Sequence, residues 1–418
     1  MANSAPIAQQ QLQKLREIIG DSLSGNSFQK AKLDGTGIGE DLNSLEFFSL
    51  NCPFTTKDEL CADQLEHPPG GTNFTFSSDC YTRFCRTSGT TGQPLTWLDT
   101  ENDWQWMLDN WKQVFRATGA EPGDRAFFPF SFGPFLGFWT AFEAAQQCGI
   151  LAIPGGGMGS KERLELLLQN MANILCVTPT YAVRLAEAAD ELAIDLKAKS
   201  LVRIIIVAGE PGGCIPQTRA RIESLWPEAH VFDHHGMTET GPVTYQLPDE
   251  PNKLRVIQEA YYAEVLDPKS LKPINEGQTG ELVLTTLGRT GSPLLRYRTG
   301  DLVCPRFHGE ELILEGGILG RVDDMVIIRG VNLYPSAVEA VLSQLSGIAE
   351  YRVYIEKTSA LPEIRLEIEP TPDASANLTE QAADLLRNHF LLRIPVELVP
   401  AGSLPRFELK ARRWEINQ

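Results

Sequence analysis

Apolar residues in the first quarter of the chain recur at helical intervals, and residues 8–20 predict a helix. Thr56 followed by Glu59 has capping-box spacing and predicts a short helix beginning there. Residues 76–86 predict two short elements. Trp104, Met107, Trp111 and Phe115 then repeat at helical spacing, which reads as a buried stripe. From Arg125 the pattern changes to short apolar runs separated by helices. Strands are predicted at residues 125–130, 149–154, 174–178, 201–207 and 230–233. Helices are predicted from Phe132 through Cys148, at 161–170, at 179–189 and at 217–225. Strands alternating with helices at this spacing imply a largely parallel sheet covered on both faces. Ligands on such sheets sit at the carboxyl ends of strands, where Gly209-Glu210-Pro211 and His234-His235-Gly236 fall.

Residues 254–266 and 280–287 alternate like antiparallel strands, predicting a smaller barrel-like subdomain over about 245–320. Gly320-Arg321-Val322-Asp323-Asp324 separates that region from a fresh α+β pattern, as a hinge would. The fold class is therefore α/β, with a large domain over 1–321 and a small mobile α+β domain over 322–418, hinged near 323–324.

Composition fits this picture: 418 residues exceed one ordinary core, and 42% hydrophobic with 22% charged is globular. No run of eighteen apolar residues is present. The opening MANSAPIAQQQLQKLREIIG lacks the basic-then-apolar order of a secretory signal, so a cytoplasmic location is expected. A net charge of −17 argues against nucleic acid or an anionic membrane as partner. Eight dispersed cysteines read as reduced, mainly structural thiols, and no second Cys or His pair completes zinc spacing with Cys80 and Cys85.

The chemistry begins at Thr87-Ser88-Gly89-Thr90-Thr91-Gly92-Gln93-Pro94, a loop whose glycines let N–H groups converge and whose hydroxyls donate to oxyanions. His234-His235-Gly236-Met237-Thr238-Glu239 follows a strand, so Thr238 could meet a phosphoryl oxygen and Glu239 a divalent metal; the alternative is a helix cap at Thr238 and an ordinary exposed acid at Glu239. Asp301 suits the two hydroxyls of a ribose, or a turn. Arg321 suits a phosphate or ribose, or a solvated hinge, and Lys410 is either a mobile cation or part of a solvated basic tail.

Taken in order, these segments resemble the adenylate-forming superfamily of acyl-CoA synthetases and ligases, and more closely the phenylacetate-CoA ligase family. Pro53-Phe54-Thr55-Thr56-Lys57-Asp58 resembles that family's N-terminal signature and residues 88–94 its phosphate loop. Ala208-Gly209-Glu210-Pro211, Gly236-Met237-Thr238-Glu239, residues 297–301 and residues 324–335 complete the set. The resemblance implies a two-step reaction with ATP, Mg²⁺ and coenzyme A. A carboxylate first forms acyl-adenylate and pyrophosphate, and the thiol of coenzyme A then takes the acyl group. By the same resemblance Ser88, Gly89, Thr90, Thr91 and Gly92 hold the leaving phosphates. Thr238 and Glu239 serve the α-phosphate and Mg²⁺, while Gly209, Glu210, Pro211, His234, His235 and Gly236 line the nucleotide pocket. Asp301 and Arg321 hold the ribose, and Lys410 is the cation that adenylation requires and domain rotation withdraws.

Two departures stand out. Gln93 occupies the usual position of a lysine, and His235 that of the usual aromatic beside adenine. Phe130, Phe132, Phe135, Phe138 and Trp139 suit a flat apolar acyl group, with Phe132, Phe135, Gly209, His235 and Gly236 as candidate pocket residues, or form a helix-packing face. The leading expectation is a small aromatic acid joined to coenzyme A. The alternatives are delivery to a carrier protein or amine, and a nucleotide-binding protein with weakened turnover. The sequence leaves oligomeric state open, the resemblance pointing to a homodimer.

Overall fold

The computed structural model describes residues 6–87, 94–329, 331–356, 363–407 and 411–417. At its centre a five-stranded parallel sheet runs in the order Leu151–Pro154, Arg125–Phe128, Ile174–Val177, Ile204–Val207, His230–Asp233. Phe127, Leu175, Ile205 and Val231 point to one face, where they pack with the helices Ser160–Gln169, Pro179–Glu191 and Pro216–Leu225. Ala126, Phe128, Ile174, Cys176, Ile206 and Phe232 point to the other, against Glu101–Ala117 and Trp139–Gln147. With both faces covered, Ile204–Val207 is buried at every position instead of alternating with polar residues. Trp104, Met107, Trp111 and Phe115 form the buried stripe that their spacing predicts.

Some boundaries differ from the sequence reading. The helix expected from Phe132 begins at Trp139, because Pro134 has no N–H to give and Gly137 takes φ +38°. The strand expected from Leu201 begins at Ile204; Leu201 is exposed, and Arg203 turns aside to Asp124 Oδ2 at 2.7 Å. Thr238 caps no helix. It lies in the loop of a hairpin between Gly236–Met237 and Gly241–Pro242. Asp301 sits within the strand Tyr297–Val303 and not in a turn.

Two four-stranded antiparallel sheets follow. One orders Tyr261–Leu266, Gly280–Thr286, Tyr297–Val303 and Gly320–Arg321; the other orders Thr244–Tyr245, Lys253–Val256, Glu311–Glu315 and Pro305–His308. Leu254, Val256, Leu282, Leu284, Val303 and Leu314 fill the core between them. The N-terminal helix Ile7–Gly25 packs Leu15, Ile18 and Ile19 against Leu287 and Leu295. Beyond Val326 a further core gathers Ile328, Leu333, Val338, Val353, Leu366 and Leu386 under the strands Ile348–Glu356 and Glu363–Pro370. All eight cysteines are free thiols, and among the described residues no helix is long and apolar enough to cross a membrane.

In this last region the buried Glu369 accepts from the guanidinium of Arg406 and from the N–H groups of Gly402 and Leu404, at 3.0, 2.8 and 3.1 Å. These donors, Arg406 foremost, hold its carboxyl down at about 2 against an ordinary 4.5. A lowering of that size is equivalent to about 3 kcal/mol, whole above pH ~5 and lost as pH falls from ~4.5 towards ~2. In urea unfolding, Glu369→Gln should therefore be less stable than wild type at pH 7. The gap should shrink to less than half by pH ~3 and close only towards pH ~2.

Candidate functional site

The site is assembled where the parallel strands end. Val207 leads into Ala208-Gly209-Glu210, and Gly209 adopts φ +95°, a left-handed turn that favours glycine. Asp233 leads into His234, His235 and the hairpin carrying Thr238 and Glu239. A β-carbon on Gly236 would lie 2.7 Å from the Gly241 carbonyl oxygen, so glycine is what permits this hairpin.

Buried donors fix the hairpin loop. Arg289, with no exposed side-chain surface, donates Nε and Nη2 to Asp99 at 2.6 and 2.7 Å. Its Nη1 donates to the carbonyls of Thr238 and Glu239, each at 2.8 Å. The Tyr261 hydroxyl lies 2.7 and 2.9 Å from the carbonyls of Thr240 and Pro242. The loop between the two hairpin strands is thus held from its interior, with Thr238 half-buried and Glu239 buried.

Glu239 is 4% exposed, and on its Oε1 fall Lys57 Nζ at 3.3 Å and the Tyr297 hydroxyl at 3.4 Å. Lys57 is delivered there by the N-terminal segment. Thr55 N–H donates to Arg296 O, Arg298 N–H donates to Thr55 O, and Thr56 forms the predicted capping box with Glu59 at the start of Lys57–Glu66. One short stretch therefore pairs with the strand bearing Tyr297 and Asp301 while placing an ammonium beside Glu239.

Asp301, 3% exposed, is met on both oxygens. Arg321 Nη1 donates to Oδ1 at 2.9 Å, and His235 Nε2 lies 3.1 Å from Oδ2. Burial opposes its ionisation, but His235 and Arg321 prevail and hold the carboxyl below its usual range. Arg321 also grips Asp323 through Nε and Nη2, at 2.9 and 3.1 Å. His235 is thus in contact with the acid expected to hold ribose.

His234 is buried against Trp111, ring centroids 4.2 Å apart, and its Nδ1 lies 2.7 Å from the Thr244 carbonyl. That contact places the proton on Nδ1. Burial pushes the imidazole down to about 3, so it is neutral at ordinary pH. Trp111 in turn meets Phe138, Phe130 packs on Phe132 and Phe138, and Phe132 on Trp139 and Phe142. Phe135 stands apart, 48% exposed.

Glu210 is engaged through its side chain. Oε1 accepts from Thr180 N–H and Oε2 from Ala411 N–H, both at 2.9 Å. Ser88, Gly89, Thr90, Thr91, Gly92, Gln93 and Lys410 lie outside the described residues. The flanks of the phosphate-loop segment do meet: Thr87 N–H donates to Leu95 O at 3.0 Å and Leu95 N–H to Thr87 Oγ1 at 2.9 Å.

Sequence reasoning did not single out Lys57, Asp99 or Arg289 for the site. Lys57 was visible inside the 53–58 segment, but its partner Glu239 is 182 residues away in sequence. Nothing in the local pattern marks Asp99 and Arg289 as a pair.

Comparison with known proteins places this geometry in context. A model of the AMP-binding enzyme family matches residues 72–288, and one of the AMP-binding enzyme C-terminal domain matches residues 330–415. A phenylacetate-coenzyme A ligase of Thermus thermophilus is 29% identical, over 95% of this chain and 93% of its own. Among solved structures, 2-hydroxyisobutyryl-CoA ligase in its postadenylation state, with R3-HIB-AMP bound, superposes at a TM-score of 0.92. It is 28% identical, over 98% of this chain and 90% of its own. The same ligase in its thioesterification state, with 2-HIB-AMP and CoA, gives 0.73 at 29% identity, over 98% and 89%. The present chain thus superposes better on the postadenylation structure of that ligase than on its thioesterification structure.

Removing the guanidinium at position 289 would leave Asp99 buried without its partner. Arg289→Met should destabilise the chain by about 3–5 kcal/mol in urea unfolding. Tyr261→Phe, which removes only the hydroxyl, should cost about 1–2 kcal/mol.

Proposed function

Because the chain belongs to the AMP-binding enzyme family, we propose that it is an AMP-forming acyl-CoA ligase. The observation that carries the reading is the meeting of Glu239, Lys57 and Tyr297 beside His235, Asp301 and Arg321 at one end of the parallel sheet. In the first step a carboxylate oxygen of the acid bonds to the α-phosphorus of ATP as the bond to the pyrophosphate oxygen breaks. In the second the sulfur of coenzyme A bonds to the acyl carbon, and AMP leaves with the former carboxylate oxygen.

The residues divide this work by charge. Asp301 accepts from the ribose hydroxyls, with Arg321 holding the carboxylate ionised and in place. His235 faces the nucleoside. Thr238 donates to the α-phosphate, and Ser88, Gly89, Thr90, Thr91 and Gly92 hold the departing phosphates. Lys410 supplies a positive charge during attack at phosphorus and leaves when the small domain turns about residues 323–324. Lys57, already beside Glu239, adds a cation near the site from which Gln93 removes one.

A single buried carboxylate fits Mg²⁺, which commonly takes one or two carboxylates and otherwise keeps water and phosphate oxygens. Glu239 would hold it. Among the described residues no cluster of three His, Cys, Asp or Glu side chains offers a cage for a metal bound by protein alone. The ion would neutralise phosphate charge.

For the acid, the rings of Phe130, Phe132, Phe138 and Trp111 favour a small aromatic carboxylate, with the neutral imidazole of His234 as the polar group among them. The likeness to 2-hydroxyisobutyryl-CoA ligase favours a second reading, a short hydroxylated acid. Pyrophosphate–ATP exchange over a panel of aryl, arylacetic and short 2-hydroxy acids, with and without coenzyme A, separates them. Exchange with an aromatic acid, and its thioester when coenzyme A is present, is expected; no exchange with any acid would end the ligase reading. Asp301→Asn should raise the KM for ATP about tenfold or more while leaving the KM for the acid near wild type.

A further inference from the structure

We propose that Glu210 is a positioning residue that docks the C-terminal lysine-bearing segment for the adenylation step alone, rather than a liner of the nucleotide pocket through its side chain. The inference rests on the ligase reading above and concerns how that site is closed. Its basis is a division of contacts along residues 411–413. Ala411 N–H reaches across to Oε2 of Glu210, which follows the fourth strand of the parallel sheet, at 2.9 Å. Two residues on, Arg413 is held from the other side: its Nε donates to Glu350 at 2.6 Å and its Nη1 to Glu339 at 3.3 Å. Glu339 and Glu350 belong to the same core region as the strand Trp414–Asn417, which pairs with Ile348–Glu356. A rotation of that region would carry Arg413, Glu339 and Glu350 together. The bond between Glu210 and Ala411 would have to break, as would that from Ser336 Oγ to the Leu319 carbonyl.

Glu210 is suited to this task because its other oxygen is already fixed. Oε1 accepts from Thr180 N–H in the first turn of Pro179–Glu191, an end of a helix that favours a carboxylate. The side chain is thus pre-oriented, and docking asks it to lose little further freedom. Ala411 directly follows Lys410 in sequence, so the contact acts on the residue next to the lysine. The contact is also opposed. Burial, together with the nearby charges of Glu210 and Glu350, pushes the carboxyl of Glu339 up, with Arg413 pulling the other way. Agreement with the postadenylation state of the related ligase, and poorer agreement with its thioesterification state, is what a contact specific to one half-reaction requires.

The test uses the full chain and treats the two half-reactions separately. For Glu210→Ala, kcat of pyrophosphate–ATP exchange should fall at least about tenfold with KM for ATP within about twofold. Thioester formation from supplied acyl-adenylate and coenzyme A should fall less than about threefold. Trypsin should cut within residues 411–413 several-fold faster. Glu210→Gln, which keeps one acceptor oxygen, should recover part of the exchange. Thr178→Ala removes a different hydrogen bond from the same helix end, that to Tyr181 N–H. It controls for local loosening and should leave the ratio of the two half-reactions at its wild-type value. Equal losses in both half-reactions, or a raised KM for ATP with kcat kept, would overturn the proposal. If the wild-type chain exchanged with no acid while Glu210→Ala still sped cleavage, the ligase reading and the catalytic part of this proposal would fall. The docking contact would stand.

Discussion

A guanidinium with no access to water directs the geometry of the cleft. Arg289 spends Nε and Nη2 on Asp99 and Nη1 on two carbonyl groups, those of Thr238 and Glu239. An isolated charge at this depth would be prohibitive, and the bidentate carboxylate is what makes it tolerable. Asp103 extends the arrangement by capping its own helix through Thr100 and accepting from Gly291 N–H at 3.0 Å. The strand Thr96–Thr100, the helix Glu101–Ala117 and the loop after Gly280–Thr286 are thereby fixed to the hairpin that presents Glu239. The position of one carboxylate in the cleft follows from a network lying wholly beneath it.

From there the polar contacts run outward. The strand Tyr297–Val303 puts Tyr297 on Glu239 and Asp301 on His235 and Arg321, so a single strand spans both halves of the site. Arg321 then joins Asp301 to Asp323, linking the buried acid to the place where a hinge is expected. Glu210 makes the corresponding link to the C-terminal segment through Ala411.

Much of this architecture was legible because it rests on local or periodic signals. Runs such as Ile204–Val207 are buried on both faces and read as strands in any context; Thr56 and Glu59 form their capping box within one turn. The resemblance also drew attention to Glu239, Asp301 and Arg321, which carry the two charged clusters of the cleft. What escaped is non-local. Asp99 and Arg289 are ordinary charged residues in sequence, and only the fold shows that neither touches water. Lys57 gains meaning from a partner on a distant hairpin. The helix expected from Phe132 begins only at Trp139, because the backbone demands of Pro134 and Gly137 prevail there.

The contact between Lys57 and Glu239 has a bearing on how the site receives cations. An ammonium 3.3 Å from the carboxylate already answers its charge, so the site does not present a bare anion to the surrounding solution. A free divalent ion arriving by itself gains one oxygen ligand and meets electrostatic repulsion from its neighbour. The same ion arriving wrapped in phosphate brings enough negative charge to satisfy both, and the lysine turns from competitor into ally.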